Sequence, residues 1–66
     1  MPSIIMEAGT VSKENKVELI KRLTATAAEI TSIPESSFTV LIKENPRENW
    51  GMGGVPLDEI MKKMNH

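Results

Sequence analysis

Pro2 is the first residue of this chain with chemistry of its own. While Met1 is attached, the Pro2 nitrogen is a tertiary amide with no proton and no basicity. Initiator methionine is usually trimmed ahead of a small residue, and that removal is expected here. The nitrogen then becomes a secondary amine, the only one a ribosomal chain can offer. A free α-amino group titrates at about 7.7–8.0, and a secondary amine somewhat higher. An apolar pocket or nearby cations lower that value toward neutrality. A base poised in this way can move protons at working pH. The competing reading is architectural: a proline opening an edge strand, where sheets tolerate it.

Few other residues suggest chemistry by type and spacing. The chain has no cysteine, hence no disulfide and no thiolate site. Its one histidine, His66, is the last residue, and a lone terminal imidazole makes no metal site. Trp50-Gly51-Met52-Gly53-Gly54 is rich in glycine but lacks the G-K-[ST] that completes a phosphate-cradling loop. A formal charge of −1 with mixed signs leaves no footprint for nucleic acid or for an anionic membrane surface. No apolar run approaches the roughly 18 residues of a membrane span. No basic-then-apolar leader opens the chain. A soluble cytoplasmic protein is the expectation.

The elements that must carry Pro2 can be read in order. Residues 2–8 predict a strand in which Ile4, Met6 and Ala8 alternate with Ser3, Ile5 and Glu7. Ser12 predicts a helix N-cap, with Glu14 in the first turn. Leu19, Ile20, Leu23, Ala27 and Ile30 recur at helical spacing, with charged residues opposite. Pro34 ends this helix near Thr31 or Ser32, because it pushes Ile33 out of helical geometry. Pro34–Ser37 reads as a turn, and Phe38–Ile42 as a strand covered on both faces. The result is one βαβ unit within a single domain over residues 1–66, with parallel strands and a right-handed crossover. A polar loop follows, then a glycine-rich hairpin or arm. Leu57, Ile60, Met61 and Met64 form a short helical stripe, led by Asp58 and Glu59 and trailed by Lys62 and Lys63.

Two strands and one long helix make a poor sheet, since three or more strands are usually needed. A chain of 66 residues is also marginal alone, and no disulfide or metal can staple it. Copies of the same chain must bury what is left. Edge-to-edge dimerisation would give four strands.

Pro2 at the start of a strand, the helix opening Ser12–Lys16, Leu19-Ile20, Pro34, the strand end Val40-Leu41-Ile42-Lys43-Glu44 and Trp50-Gly51-Met52-Gly53-Gly54 together resemble the 4-oxalocrotonate tautomerase family over nearly the whole chain. The resemblance implies an α+β fold: β-α-β with a C-terminal hairpin, its sheet completed by dimerisation, and dimers assembled as a hexamer. It implies cofactor-free tautomerisation of enols or dienols conjugated to a carboxylate, with Pro2 as base and acid. Trp50 stands where the family has an aromatic, which forms an apolar wall. The family also carries an arginine just after the first strand and another in the second strand. By position these fall at Thr10 or Val11 and at Thr39. Neither site is basic in this chain. Arg47 is the nearest replacement, with Lys43 behind it, and a solvated loop charge is its competing reading. Thr39 offers one hydrogen bond in place of a bidentate clamp.

Two functions from different classes follow. One is a keto–enol tautomerase of small enol or 2-keto acids, with Pro2 catalytic and Thr39, Arg47 and Trp50 binding the substrate. The other is a non-catalytic oligomer of the same fold that binds a small molecule or serves as a scaffold.

Overall fold

The computed structural model describes residues 1–64, with side chains through Lys62. His66, and the part of Met64 in the apolar stripe, lie outside that description. Strand β1 spans Ser3–Ala8 and helix α1 spans Lys13–Thr31. Strand β2 is Thr39–Glu44, and a hairpin pairs β3, Gly51–Met52, with β4, Val55–Pro56. Helix α2, Leu57–Met64, follows without a break.

Local chemistry explains the bounds of α1. The Ser12 hydroxyl accepts the Asn15 N–H at 3.2 Å, satisfying one orphan donor of the first turn. At the other end Ser32 takes a left-handed φ of 59° and stops the helix two residues before Pro34. The Thr31 hydroxyl folds back on the Ala27 carbonyl at 2.7 Å. A 3₁₀ turn over Glu35–Ser37 then delivers the chain to β2.

Strands β1 and β2 run parallel, with Ser3 opposite Thr39 and Ala8 opposite Glu44. The pairing starts and ends slightly later than the residue pattern suggests. Pro2 has no N–H to give but accepts the Thr39 N–H at 3.1 Å. Phe38 spends its N–H on the Glu35 carbonyl, so it belongs to the turn and not to the strand. Strand pairing continues to Glu44, and the Asn45 N–H adds a bond to the Ala8 carbonyl at 2.8 Å.

Helix α1 covers one face of this pair. Ile4, Met6, Val40 and Ile42 on that side are half-buried. The other face is bare: Ile5 is 59 % exposed and Leu41 51 %. Among the described residues none is fully buried. The hairpin turn places Gly53 at φ 61° and Gly54 at φ 82°, the two positive values a tight two-residue hairpin requires. It projects Met52 into solvent at 71 % exposure. No helix among the described residues is long and apolar enough to cross a membrane.

Candidate active site

The two ends of the parallel strand pair hold different groups. At the entry end stands Pro2, half-buried, its carbonyl held by the Thr39 N–H. Beside it the Thr39 and Ser3 hydroxyls meet at 2.9 Å, both on the open side of the sheet. Met1 is almost wholly in solvent, at 97 % exposure.

At the exit end lies a cleft of about 370 Å³, lined by Ala8, Gly9, Arg47, Trp50, Leu57 and Met61. A 3₁₀ turn over Arg47–Asn49 carries the chain into it. The Trp50 indole is tied down from both sides of its residue. Its Nε1–H donates to the Asn45 carbonyl at 3.3 Å, and its own carbonyl accepts the Leu57 N–H at 3.0 Å. Asn45 is itself anchored through its amide to Glu7 Oε1 at 3.3 Å. The hairpin, the start of α2 and the end of β1 thus share one aromatic side chain. Arg47 is the only charged residue lining the cleft among the described residues, and its Nε stands 3.7 Å from Asp58 Oδ1.

Of the residues singled out by type, the structure brings Pro2 to Thr39 and Arg47 to Trp50. It does not bring the two pairs together within one chain. Strand β1 lies between them, and six residues at about 3.3 Å each make roughly 20 Å. Lys43 pairs in register with Glu7 on the bare sheet face and lines no part of the cleft.

The loop where the family's first arginine would fall is held by a different device. Glu44 Oε2 accepts the Val11 N–H at 3.1 Å, and Glu44 Oε1 accepts a hydrogen bond from Lys16. The Lys16 hydrogen bond, with the Val11 N–H second, holds the Glu44 carboxyl below its ordinary 4.5. Glu44, Ser3 and Asp58 escape a reading by residue type, because each matters only through a partner the fold supplies. A glutamate ending a buried strand was the one available signal for Glu44.

A larger groove, about 430 Å³, runs along α1 past Val11, Leu19, Leu23 and Thr26. It contains neither Pro2 nor Trp50, and the Glu18–Arg22 ion pair along it is an exposed helical i,i+4 pair. It is uncovered helix surface, and the smaller cleft is the better site despite its size.

Comparison with known proteins gives the same answer as the geometry. A family model described as a tautomerase enzyme matches residues 3–60. The 2-hydroxymuconate tautomerase of Comamonas testosteroni is 35 % identical over 49 residues, covering 74 % of this chain and 78 % of that protein. The structure of TomN, a 4-oxalocrotonate tautomerase homologue in the tomaymycin biosynthetic pathway, superposes with a TM-score of 0.86 at 29 % identity, covering 92 % of this chain and 95 % of that one. A heterohexamer 4-oxalocrotonate tautomerase from Chloroflexus aurantiacus J-10-fl superposes with a TM-score of 0.78 at 30 % identity, covering 91 % and 97 %. Strand, crossover helix, parallel strand and aromatic-glycine hairpin follow one another here as a single unit, and over that span the chain belongs to the tautomerase family, which supports tautomerase-type catalysis.

Proposed function

We propose that this protein is a cofactor-independent keto–enol tautomerase of small enol and 2-keto carboxylic acids, with the Pro2 amine as its general base and acid. The observation that carries the reading is the position of Pro2 at the head of β1, in a chain whose family is tautomerase. The exposure of Met1 favours its removal, since its side chain packs on nothing that would be lost. Once uncovered, the nitrogen accepts the proton of an enol hydroxyl. The electron pair of the O–H bond forms the carbonyl, and the carbon–carbon double bond takes up the same proton from the prolinium at the far carbon. Atoms and charge balance with no further reagent. Thr39 donates a hydrogen bond to the substrate oxygen, Arg47 meets the carboxylate, and Trp50 forms an apolar wall that keeps the amine's pKa low.

Because Pro2 and Trp50 lie at opposite ends of β1, the working site is composite, with Pro2 from one chain and Arg47 and Trp50 from another. A homo-oligomer is therefore the active form, and the C. aurantiacus relative, a heterohexamer, supports assembly of chains of this fold. The partner of the site is a small carboxylate.

The lack of arginine at Thr10 or Val11 and at Thr39, where the resemblance implies it, favours a second reading, a binding or scaffold oligomer without catalysis. One comparison separates the two. Protein shown by intact mass to lack Met1 is assayed for ketonisation of simple enol acids beside a Pro2→Ala variant. The expected loss is about 10²-fold or more, the usual worth of a positioned proton carrier. Equal activity of the two proteins would remove Pro2 from the mechanism and leave the binding reading.

A further inference from the structure

We propose that Asp58 sets the charge selectivity of the Arg47–Trp50 cleft, so that it takes a small unsaturated acid with one carboxylate in preference to one with two. The inference rests on the assignment of Arg47 as the carboxylate partner and extends it.

Among the described residues the cleft is apolar apart from a single guanidinium, with Trp50, Leu57 and Met61 as its walls. That guanidinium is not alone. Asp58 Oδ1 approaches its Nε at 3.7 Å, longer than a hydrogen bond but close enough for the charges to act on each other. The contact runs through Nε, and the guanidinium has further N–H groups to offer a ligand. A carboxylate arriving there meets an arginine whose charge is already half answered. One carboxylate can still be held by those N–H groups. Among the described lining residues a second carboxylate finds no cation of its own. It also meets the field of Asp58, and like charges in one site oppose each other.

Asp58 has an architectural role as well, as an acidic residue in the first turn of α2. That role would alter stability but not the ratio of affinities for two ligands of different charge. The ratio is therefore the quantity to measure.

Trp50 is the only tryptophan in the chain and lines the cleft, so its fluorescence reports binding without any turnover. The assembled protein is titrated with sorbate, a six-carbon dienoate with one carboxylate, and with muconate, its dicarboxylate counterpart. Wild type is expected to bind sorbate more tightly. Asp58→Asn is expected to tighten muconate about two- to fivefold more than sorbate, the scale of an exposed ion pair. Asp58→Glu, which keeps the charge, retains the wild-type ratio and controls for folding. Arg47→Ala weakens both ligands, and adding Asp58→Asn to it still shifts the ratio toward muconate, because the Asp58 charge acts on the second carboxylate directly. A wild-type preference for muconate, or an unchanged ratio in Asp58→Asn, overturns the inference while leaving Pro2 untouched. Unchanged binding in Arg47→Ala overturns it together with the assigned role of Arg47. Loss of the Pro2 mechanism would instead appear only in the turnover assay.

Discussion

Glu44 is the residue through which β2 holds the loop between β1 and α1. Its carboxylate joins Val11 and Lys16, which lie 33 and 28 residues away in sequence. Its pKa is lowered, chiefly by the Lys16 hydrogen bond. A lowered folded pKa means that the ionised form stabilises the fold. That contribution is present in full above 4.5 and is lost as pH falls through the lowered value. Glu44→Gln is therefore expected to melt below wild type at pH 7, with the two curves converging as pH falls through the lowered value and the wild-type carboxyl is protonated as well. Thermal denaturation followed by circular dichroism across that range checks it. A gap that stays constant however far the pH is lowered would mean the effect is packing and not charge. Pro2 could be proposed from the sequence because its chemistry is a property of residue type, and Arg47 and Trp50 because the family resemblance points to their positions. Glu44 and Asp58 were not, because a carboxylate acquires its role from the cation or amide the fold sets before it.

Elements bounded by local signals were legible to within a residue or two. Helix α1 starts at its serine cap and ends ahead of its proline, where both signals place it. Ser12→Ala is expected to cost about 1 kcal/mol, read as a lower melting temperature with unchanged assembly. Strand β2 was less legible at its start, since the Phe38 N–H is claimed by the preceding turn. The hairpin is set by Gly53 and Gly54. No other group lies within 4 Å of either added Cβ, so substitution there is judged by backbone conformation alone. Gly53→Asn preserves an Asn-Gly hairpin pair and is expected to leave melting temperature and activity near wild type. Gly54→Val places a branched residue at a φ of 82° and is expected to cost about 1–2 kcal/mol or more. Its activity is expected to fall too, because the same hairpin holds Trp50. Equal melting of the Gly53→Asn and Gly54→Val proteins would show that the turn does not matter to stability.

The single chain is more open than a compact monomer of its size. Its accessible surface is 5412 Å², against about 4,200 Å² for a compact monomer of this mass. Its radius of gyration is 15.7 Å, against about 11 Å for a compact chain of this length. The bare Ile5–Leu41 sheet face and the extended Met52 hairpin are where that excess lies. Leu41→Lys or Met52→Lys is expected to lower sedimentation mass, melting temperature and tautomerase activity together. A folded, fully active monomer from either would defeat the oligomeric site. The roughly 20 Å between Pro2 and Trp50 also has a genetic consequence. A chain defective at one end and a chain defective at the other each spoil a different half of every site they share. Pro2→Ala and Trp50→Ala proteins, each inactive alone, are expected to rescue one another when unfolded together and reassembled. About a quarter of the sites in an equal random mixture would pair a sound Pro2 with a sound Trp50. Two dead alleles would then complement within one gene.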